Sequence, residues 1–399
     1  MKHLLLTTIA AVTVSGFAQD LNTESRQTVD LKHIQKQFQD SGLPAAYMVG
    51  LNLKTNKRIA LAFNYSADGN DIFRIASMTK ILTAVAALQL VEKGKIKLDE
   101  PLNKILPEMA EVPIIGKDGK PYSSDAPISL RQLLTHTAGF AYGFTSKSLE
   151  NYLKNAKGEA PNKHPKRARV SEPGEKYCYG TSLDWTGKLI EKISDKSLEQ
   201  YFRDHIAGPL KMDATWFNPP VKLHERIVDY HVRAGEKFTL AGQRVPEKTT
   251  FHNGGGGLVS SANDYLRLLT CLFNGGELEG VRILKRRTVR LMFKDQLPKN
   301  LSVGFLDGPA QHAWVTDGGF DRDFRNDRWG FSWGLEGDNP DGLRSKGAAF
   351  WAGIFNSYFT LDRKQGVIVV YYSQFLPFSD PDAYGLYRAF EKEVYLQTK

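Results

Sequence analysis

Apolar residues first recur at helical spacing in Leu31, Ile34 and Phe38, and Gly42 closes the run, which predicts a short helix. Two β-rich stretches follow, Ala46 to Leu53 and Arg58 to Phe63, joined by Thr55, Asn56 and Lys57, and they predict a hairpin. From Ser77 to Lys93 the chain is rich in Ala, Leu, Ile and Val and poor in charge, with Gly94 after it. A helix with so little polar surface is expected to be buried on most sides. Between about Leu98 and Met212 the pattern is mostly helical, broken by Pro-rich and Gly-rich connections. Alternation returns in Tyr358 to Leu361 and Val367 to Tyr372, separated by turn residues 362–366, and a last helix is predicted from Ala383 to Tyr395.

The matching elements at the two ends imply an α/β (α+β) fold. One antiparallel sheet, flanked by the N- and C-terminal helices, would be built from both ends of the chain, with an all-helical subdomain inserted at about 98–240. The chain shows no internal repeat and no low-complexity tract.

With 399 residues, 41% hydrophobic and 24% charged, the chain can bury a core large enough to keep a reactive group from water. The same balance excludes a disordered, collagen-like or disulfide-stapled protein. Lys and Arg total 53 against 44 Asp and Glu, a net charge of +9. The densest clusters, Lys163 to Arg169 and Lys285 to Arg290, are neither interleaved with aromatics nor followed by a nucleic-acid module. They are therefore expected to be solvated faces, and no nucleic-acid partner is expected.

Met1, Lys2 and His3 precede an apolar run from Leu4 to Val14, and Gly16-Phe17-Ala18 supplies small residues at cleavage positions. This pattern predicts a signal peptide at 1–18, a mature domain at 19–399 and a secreted or periplasmic location. The run is too short to span a bilayer, so no stable membrane insertion is expected after cleavage. Cys178 and Cys271 match no disulfide framework and are expected to be unpaired thiols.

Ser77 is the one serine in the chain with a lysine three residues later. On a helix, positions i and i+3 share a face, which puts the Lys80 amine beside the Ser77 hydroxyl. A serine hydroxyl is a weak nucleophile and needs a neighbour that takes its proton or favours its alkoxide.

Around this pair the sequence resembles the serine β-lactamase and penicillin-recognising family, most closely its class C-like branch. The resemblance is carried by Phe73-Arg74-Ile75-Ala76-Ser77-Met78-Thr79-Lys80, Leu98-Asp99-Glu100-Pro101-Leu102, Leu133-Leu134-Thr135-His136-Thr137-Ala138-Gly139 and Pro173-Gly174-Glu175. It reaches from about residue 32 to 395 and implies a β-lactamase/transpeptidase-like fold.

The resemblance also implies the rest of the site. Tyr179 matches the family's second catalytic tyrosine, and Thr181 stands where an asparagine is usual. A phenol near a cationic lysine ionises more easily and can take the Ser77 proton. Tyr177 is the nearby alternative, read as a core aromatic. Trp351-Ala352-Gly353 replaces the usual Lys-Thr-Gly, so Trp351, Ala352, Gly353 and Thr181 are the expected substrate-binding residues. The amides of Ser77 and Ile354 would form the oxyanion hole. The W-x-G triplet and the run Tyr179 to Trp185 are similar to the esterase (family VIII carboxylesterase) and acyltransferase members. The expected function is an exported serine hydrolase that cleaves small carboxylic esters through a Ser77 acyl-enzyme. The alternatives are a β-lactamase or DD-peptidase acting on lactam or cell-wall substrates, an acyltransferase, or a non-catalytic sensor. Arg344 or Lys346 could restore the charge that Trp351 lacks.

Three other signals carry less. Gly330-Phe331-Ser332-Trp333-Gly334 matches a nucleophile elbow, but no histidine follows it and its flanks are not strand and helix. Gly254 to Gly257 lacks the residues of a phosphate cradle and predicts close backbone packing near the site. The nine histidines contain no H-x-H or H-E-x-x-H pair, so no metal or other cofactor is expected, and His136 is expected to be structural.

Overall fold

The N-terminal hairpin forms from strands β1 (Ala46–Asn52) and β2 (Lys57–Phe63), preceded by helix α1 (Lys32–Ser41), which ends at Gly42 in the left-handed conformation. These elements belong to a computed structural model that describes residues 31–155, 168–304, 315, 324, 326–338 and 342–396. The expected signal peptide and most of the Lys163 to Arg169 cluster lie outside the described residues.

Five further strands complete the main sheet: β3 (Arg328–Trp329), β4 (Gly334–Leu335), β5 (Ala349–Gly353), β6 (Ser357–Asp362) and β7 (Val367–Tyr372). Their order is β3-β4-β5-β6-β7-β1-β2, with every neighbouring pair antiparallel. The pairing of β1 with β7, Gly50 opposite Val369, joins the two ends of the chain as the pattern predicted. Every residue of β6 and β7 is buried, because helices cover both faces of the sheet.

One face is covered by α1 and by the C-terminal helix α5 (Pro381–Leu396), through Ile34, Phe38, Leu386 and Phe390. Gly50 matters here: a Cβ on it would lie 2.2 Å from Val394, so the α5 contact requires a glycine. The opposite face carries α2 (Thr79–Glu92) and α4 (Ala262–Phe273). Residues Thr79 to Leu90 of α2 are all buried, and its polar side chains find partners inside the protein. Thr83 Oγ1 donates to the Gly254 carbonyl at 2.7 Å, and Gln89 Nε2 donates to the carbonyls of His205 and Ile283. Those bonds offset much of the cost of burying polar groups on this helix, although Gln89 Oε1 has no hydrogen-bond partner.

The inserted segment is less regular than the all-helical expectation. Its one long helix is α3 (Ser182–Ser194), which packs on α2. Lys147–Asn155 spans nine residues, and others, such as Leu130–Leu134 and Leu198–Phe202, are single turns or little more. Two hairpins also lie within 98–240 or at its edge: Ile114–Ile115 with Pro121–Tyr122, and Tyr230–Ala234 with Lys237–Ala241. The second turns at Gly235, whose φ of +61° suits glycine, and its side chains are mostly half-buried, so no apolar period announces it. Among the described residues no helix is long and apolar enough to cross a membrane.

Candidate active site

The chain enters α2 through a single 3₁₀ turn, Ala76–Met78. Ala76 has a φ of +43°, a left-handed conformation that costs a non-glycine residue of order 1–3 kcal/mol. The turn is held from several sides: the Ile75 amide donates to the Leu258 carbonyl, and the Tyr265 hydroxyl donates to the Met78 carbonyl at 3.0 Å. Gly353, at the end of β5, packs directly against it. A Cβ there would lie 2.5 Å from the Ile75 carbonyl oxygen. Ser77 is thereby left half-buried at a cavity, one turn before a fully buried Lys80.

Lys80 Nζ makes three donor contacts: to Ser77 Oγ at 3.0 Å, to the Tyr142 hydroxyl at 3.2 Å and to the Gly255 carbonyl at 2.5 Å. The Gly254 to Gly257 run thus packs its backbone on α2 beside Ser77, as the sequence predicted. Gly255 is fixed in turn by its own amide, which donates to Asn253 Oδ1 at 2.9 Å.

Tyr179 arrives on a loop pinned to the same place. The Gly180 amide donates to His136 Nδ1 at 3.3 Å, and a Cβ on Gly180 would lie 2.3 Å from Ala141. Lys80 Nζ lies 4.9 Å from the centroid of the Tyr179 ring. The Tyr179 hydroxyl accepts a hydrogen bond from Trp351 Nε1 at 2.9 Å. The indole N–H of Trp351, expected to face substrate, is therefore used to orient Tyr179. His136 is buried beneath this ring, with centroids 4.7 Å apart, and burial followed by the Lys80 charge holds its pKa well below the ordinary 6.5. A neutral imidazole that accepts a backbone amide positions the Tyr179 loop.

Tyr142 is the site residue that sequence reasoning missed. It lies 62 positions from Lys80 in a loop, where no spacing rule points to it; the signal was the aromatic and glycine run Phe140-Ala141-Tyr142-Gly143-Phe144 directly after the family-like segment. Loss of its hydrogen bond to the Lys80 amine is worth about 1–3 kcal/mol. Tyr142→Phe should then lower kcat on an ester by roughly fivefold to a hundredfold, with the fold unchanged. Steady-state kinetics checks this, and an unaltered kcat would show that Tyr142 only fills space.

The cavity measures about 780 Å³ and has Ser77 in its lining. Phe144, Phe251, Phe355 and Phe378 make its walls largely apolar. Tyr179, Trp351, Ala352, Gly353 and Ile354 also line it, so the expected oxyanion and strand residues meet at one place. Among the described residues its charged lining is Glu150 and Lys154, an ion pair at 2.7 Å.

The beta-lactamase family model matches residues 23–392. The chain belongs to the beta-lactamase family. It is similar to a monacolin J acid methylbutanoyltransferase of Aspergillus terreus, 28% identical over 81% of this chain and 82% of that protein. It is also similar to a lovastatin esterase of Penicillium rubens, 27% identical over 75% of this chain and 78% of that one. Among solved structures, a simvastatin synthase mutant from Aspergillus terreus superposes with a TM-score of 0.78 at 26% identity, covering 92% of this chain and 93% of that chain. The chain is thus an enzyme of the kind this family contains, serine hydrolases and acyltransferases.

As a beta-lactamase family member, the chain leaves several sequence candidates away from the cavity. Thr181 is fully buried at the start of α3 and does not line the cavity, because the backbone turns into the core after Gly180. Tyr177 is likewise buried, against Trp329. Ser332 is buried in the tight turn between β3 and β4 with a φ of +68°, far from the strand-to-helix setting of a nucleophile elbow. Arg344 does not reach in to replace a lysine at β5. It is buried in an ion pair with Glu391, at 2.7 Å, and donates to the Tyr387 hydroxyl at 2.8 Å. Lys346 pairs with Asp338 at 2.9 Å on the exposed surface. Cys178 and Cys271 are both buried with no disulfide between them, and burial pushes the Cys271 thiol up to about 12.

Proposed function

We propose that this enzyme cleaves carboxylic esters of modest acyl length through a covalent acyl-enzyme on Ser77. In the first half-reaction Ser77 Oγ attacks the ester carbonyl and its proton passes to the Tyr179–Lys80 pair. The carbonyl oxygen becomes negative between the Ser77 and Ile354 amides. The bond to the alcohol then breaks, and the alcohol leaves with the proton. In the second half, water gives up a proton to the same pair, attacks the acyl group and frees the acid.

The observation that carries this reading is the Trp351–Tyr179 hydrogen bond. A donor aimed at the phenol oxygen stabilises it whenever it gains negative charge, and it leaves β5 with an apolar ring facing the cavity. A β-lactam brings a carboxylate that the resemblance pairs with a lysine at this point. Trp351 offers none, and Arg344 and Lys346 are engaged elsewhere. The missing charge-assisted contact is worth about 1.5–3 kcal/mol, a tenfold to hundredfold handicap for lactams. The test compares kcat/KM for p-nitrophenyl butyrate with that for a reactive cephalosporin, in wild type and Trp351→Lys. Esters should be strongly preferred by the wild type, and efficient cephalosporin hydrolysis with no ester preference would overturn the assignment.

Transfer of the acyl group to an alcohol is the second reading, supported by the apolar walls at Phe144, Phe251 and Phe355, which suit an organic acceptor as well as an acyl chain. The similarity to a methylbutanoyltransferase supports it too. We further propose that the enzyme is exported, on the leader pattern of residues 1–18. N-terminal sequencing of the mature protein should begin near Gln19, and an intact Met1 would contradict export by this route.

A further inference from the structure

The basic run Lys285 to Arg290 reads from the sequence as a solvated face, and Arg286, Arg287 and Arg290 are indeed exposed. Folding brings another guanidinium against it from much later in the chain. Arg363, in the turn between β6 and β7, lies across a cleft of about 530 Å³ from the short helix Arg286–Met292. Arg286, Arg290 and Arg363 line this cleft, with Phe273 and Asn274 from the end of α4. None of its lining residues lines the Ser77 cavity.

Two carboxylates also face the cleft, and both are already neutralised. Glu277 is paired with Arg282, and Glu279 with Arg267 at 2.7 Å and Lys211 at 3.5 Å. Among the described residues no carboxylate pairs with Arg286, Arg290 or Arg363. Partial burial of Arg363 and the charge of Arg290 hold its pKa below the ordinary guanidinium value. Its guanidinium lies 5.0 Å from the centroid of the Phe293 ring, a contact that orients the charge without neutralising it. Three guanidinium groups therefore line one cleft without a carboxylate partner of their own, and an anion would relieve the repulsion between Arg290 and Arg363. Guanidinium forks bind phosphate oxygens in pairs, and the cleft lies in the size range of small-ligand sites, roughly 300–1,000 Å³.

We propose that this cleft is a second binding site, separate from the Ser77 cavity, for a small organic diphosphate. The adjacent phosphates bridge Arg290 and Arg363 with Arg286 at one end, and the organic part lies against Phe273. The test is calorimetric titration of the full chain with pyrophosphate at constant ionic strength. Wild type, Arg290→Gln, Arg363→Gln and Arg287→Gln are compared, the last altering a cation outside the cleft. One saturable site per chain is expected, weakened at least tenfold in the two cleft variants and unchanged in Arg287→Gln. Inorganic phosphate should bind at least tenfold more weakly than pyrophosphate. The altered side chains are exposed, and circular dichroism verifies that each variant is folded. No saturable binding by the wild type, or equal weakening in all three variants, would overturn the proposal. Co-sedimentation with phosphatidylglycerol vesicles tests a membrane source of phosphate. Vesicle binding lost in Arg363→Gln, without pyrophosphate binding, would overturn the small-molecule assignment in favour of a lipid surface.

Discussion

Replacing Ser77 with alanine is expected to abolish ester turnover, by about 10⁴-fold or more, and to leave the fold intact. In the proposed reaction Ser77 Oγ is the atom that bonds to the acyl carbon, and among the described residues the other hydroxyl in contact with Lys80 Nζ is the phenol of Tyr142. The fold survives because the Ala76–Met78 turn is held by the Ile75 and Met78 backbone and by the close contact of Gly353, none of which needs the serine hydroxyl. Ser332→Ala is the internal control, since Ser332 is buried in a turn and absent from the cavity lining. Residual activity above a few per cent in Ser77→Ala, on every ester tried, would refute the nucleophile assignment. A folded but inactive Ser332→Ala would move it to the other serine.

Tyr179→Phe and Lys80→Met are each expected to reduce kcat by about 10²-fold or more, the usual scale of general acid–base catalysis. Methionine keeps the volume of the buried Lys80 side chain while removing the amine that contacts Ser77, Tyr142 and Gly255. Phenylalanine keeps the ring over Lys80 but removes the oxygen that accepts the Trp351 N–H. If both residues serve the one proposed proton path, the double variant should be scarcely worse than either single one. The measurement is kcat for the two singles and the double on one ester, and losses that multiply would show that the two act independently.

What could be read before the structure was local, and what could not was assembled across the chain. The Ser77 and Lys80 pairing needs one turn of helix, and the burial of α2 needs its composition, so both were legible in a single segment. Gly42 and Gly94 marked helix ends for the same reason, each adopting a positive φ. The β6 and β7 hairpin was visible in the apolar runs on either side of the turn at 362–366, and its pairing with β1 followed from the symmetry of the two ends. The inserted segment was harder. Several of its helices are too short to show a period, and no residue of the strands Tyr230–Ala234 and Lys237–Ala241 is fully buried, which weakens the alternation.

The site itself divided in the same way. Tyr142 meets Lys80 where Gly180 of the Tyr179 loop packs closely on Ala141, a contact between segments far apart in the sequence. The use of the Trp351 N–H could not be inferred either, since its partner lies 172 positions away. Arg344 illustrates the opposite case. It is near β5 in sequence, but the buried carboxylate of Glu391 in α5 holds it away from the cavity.

The most direct test of the Ser77 acyl-enzyme is the mass of the protein itself during turnover. The protein is mixed with p-nitrophenyl butyrate, quenched in acid before the second half-reaction is complete, and digested for peptide mass analysis. The prediction is a single butyryl group on the peptide containing Ser77, absent from Ser77→Ala and removed faster when a small alcohol is added with water. Release of p-nitrophenol with no acylated peptide, or a butyryl group on Ser332 or another residue, would contradict it.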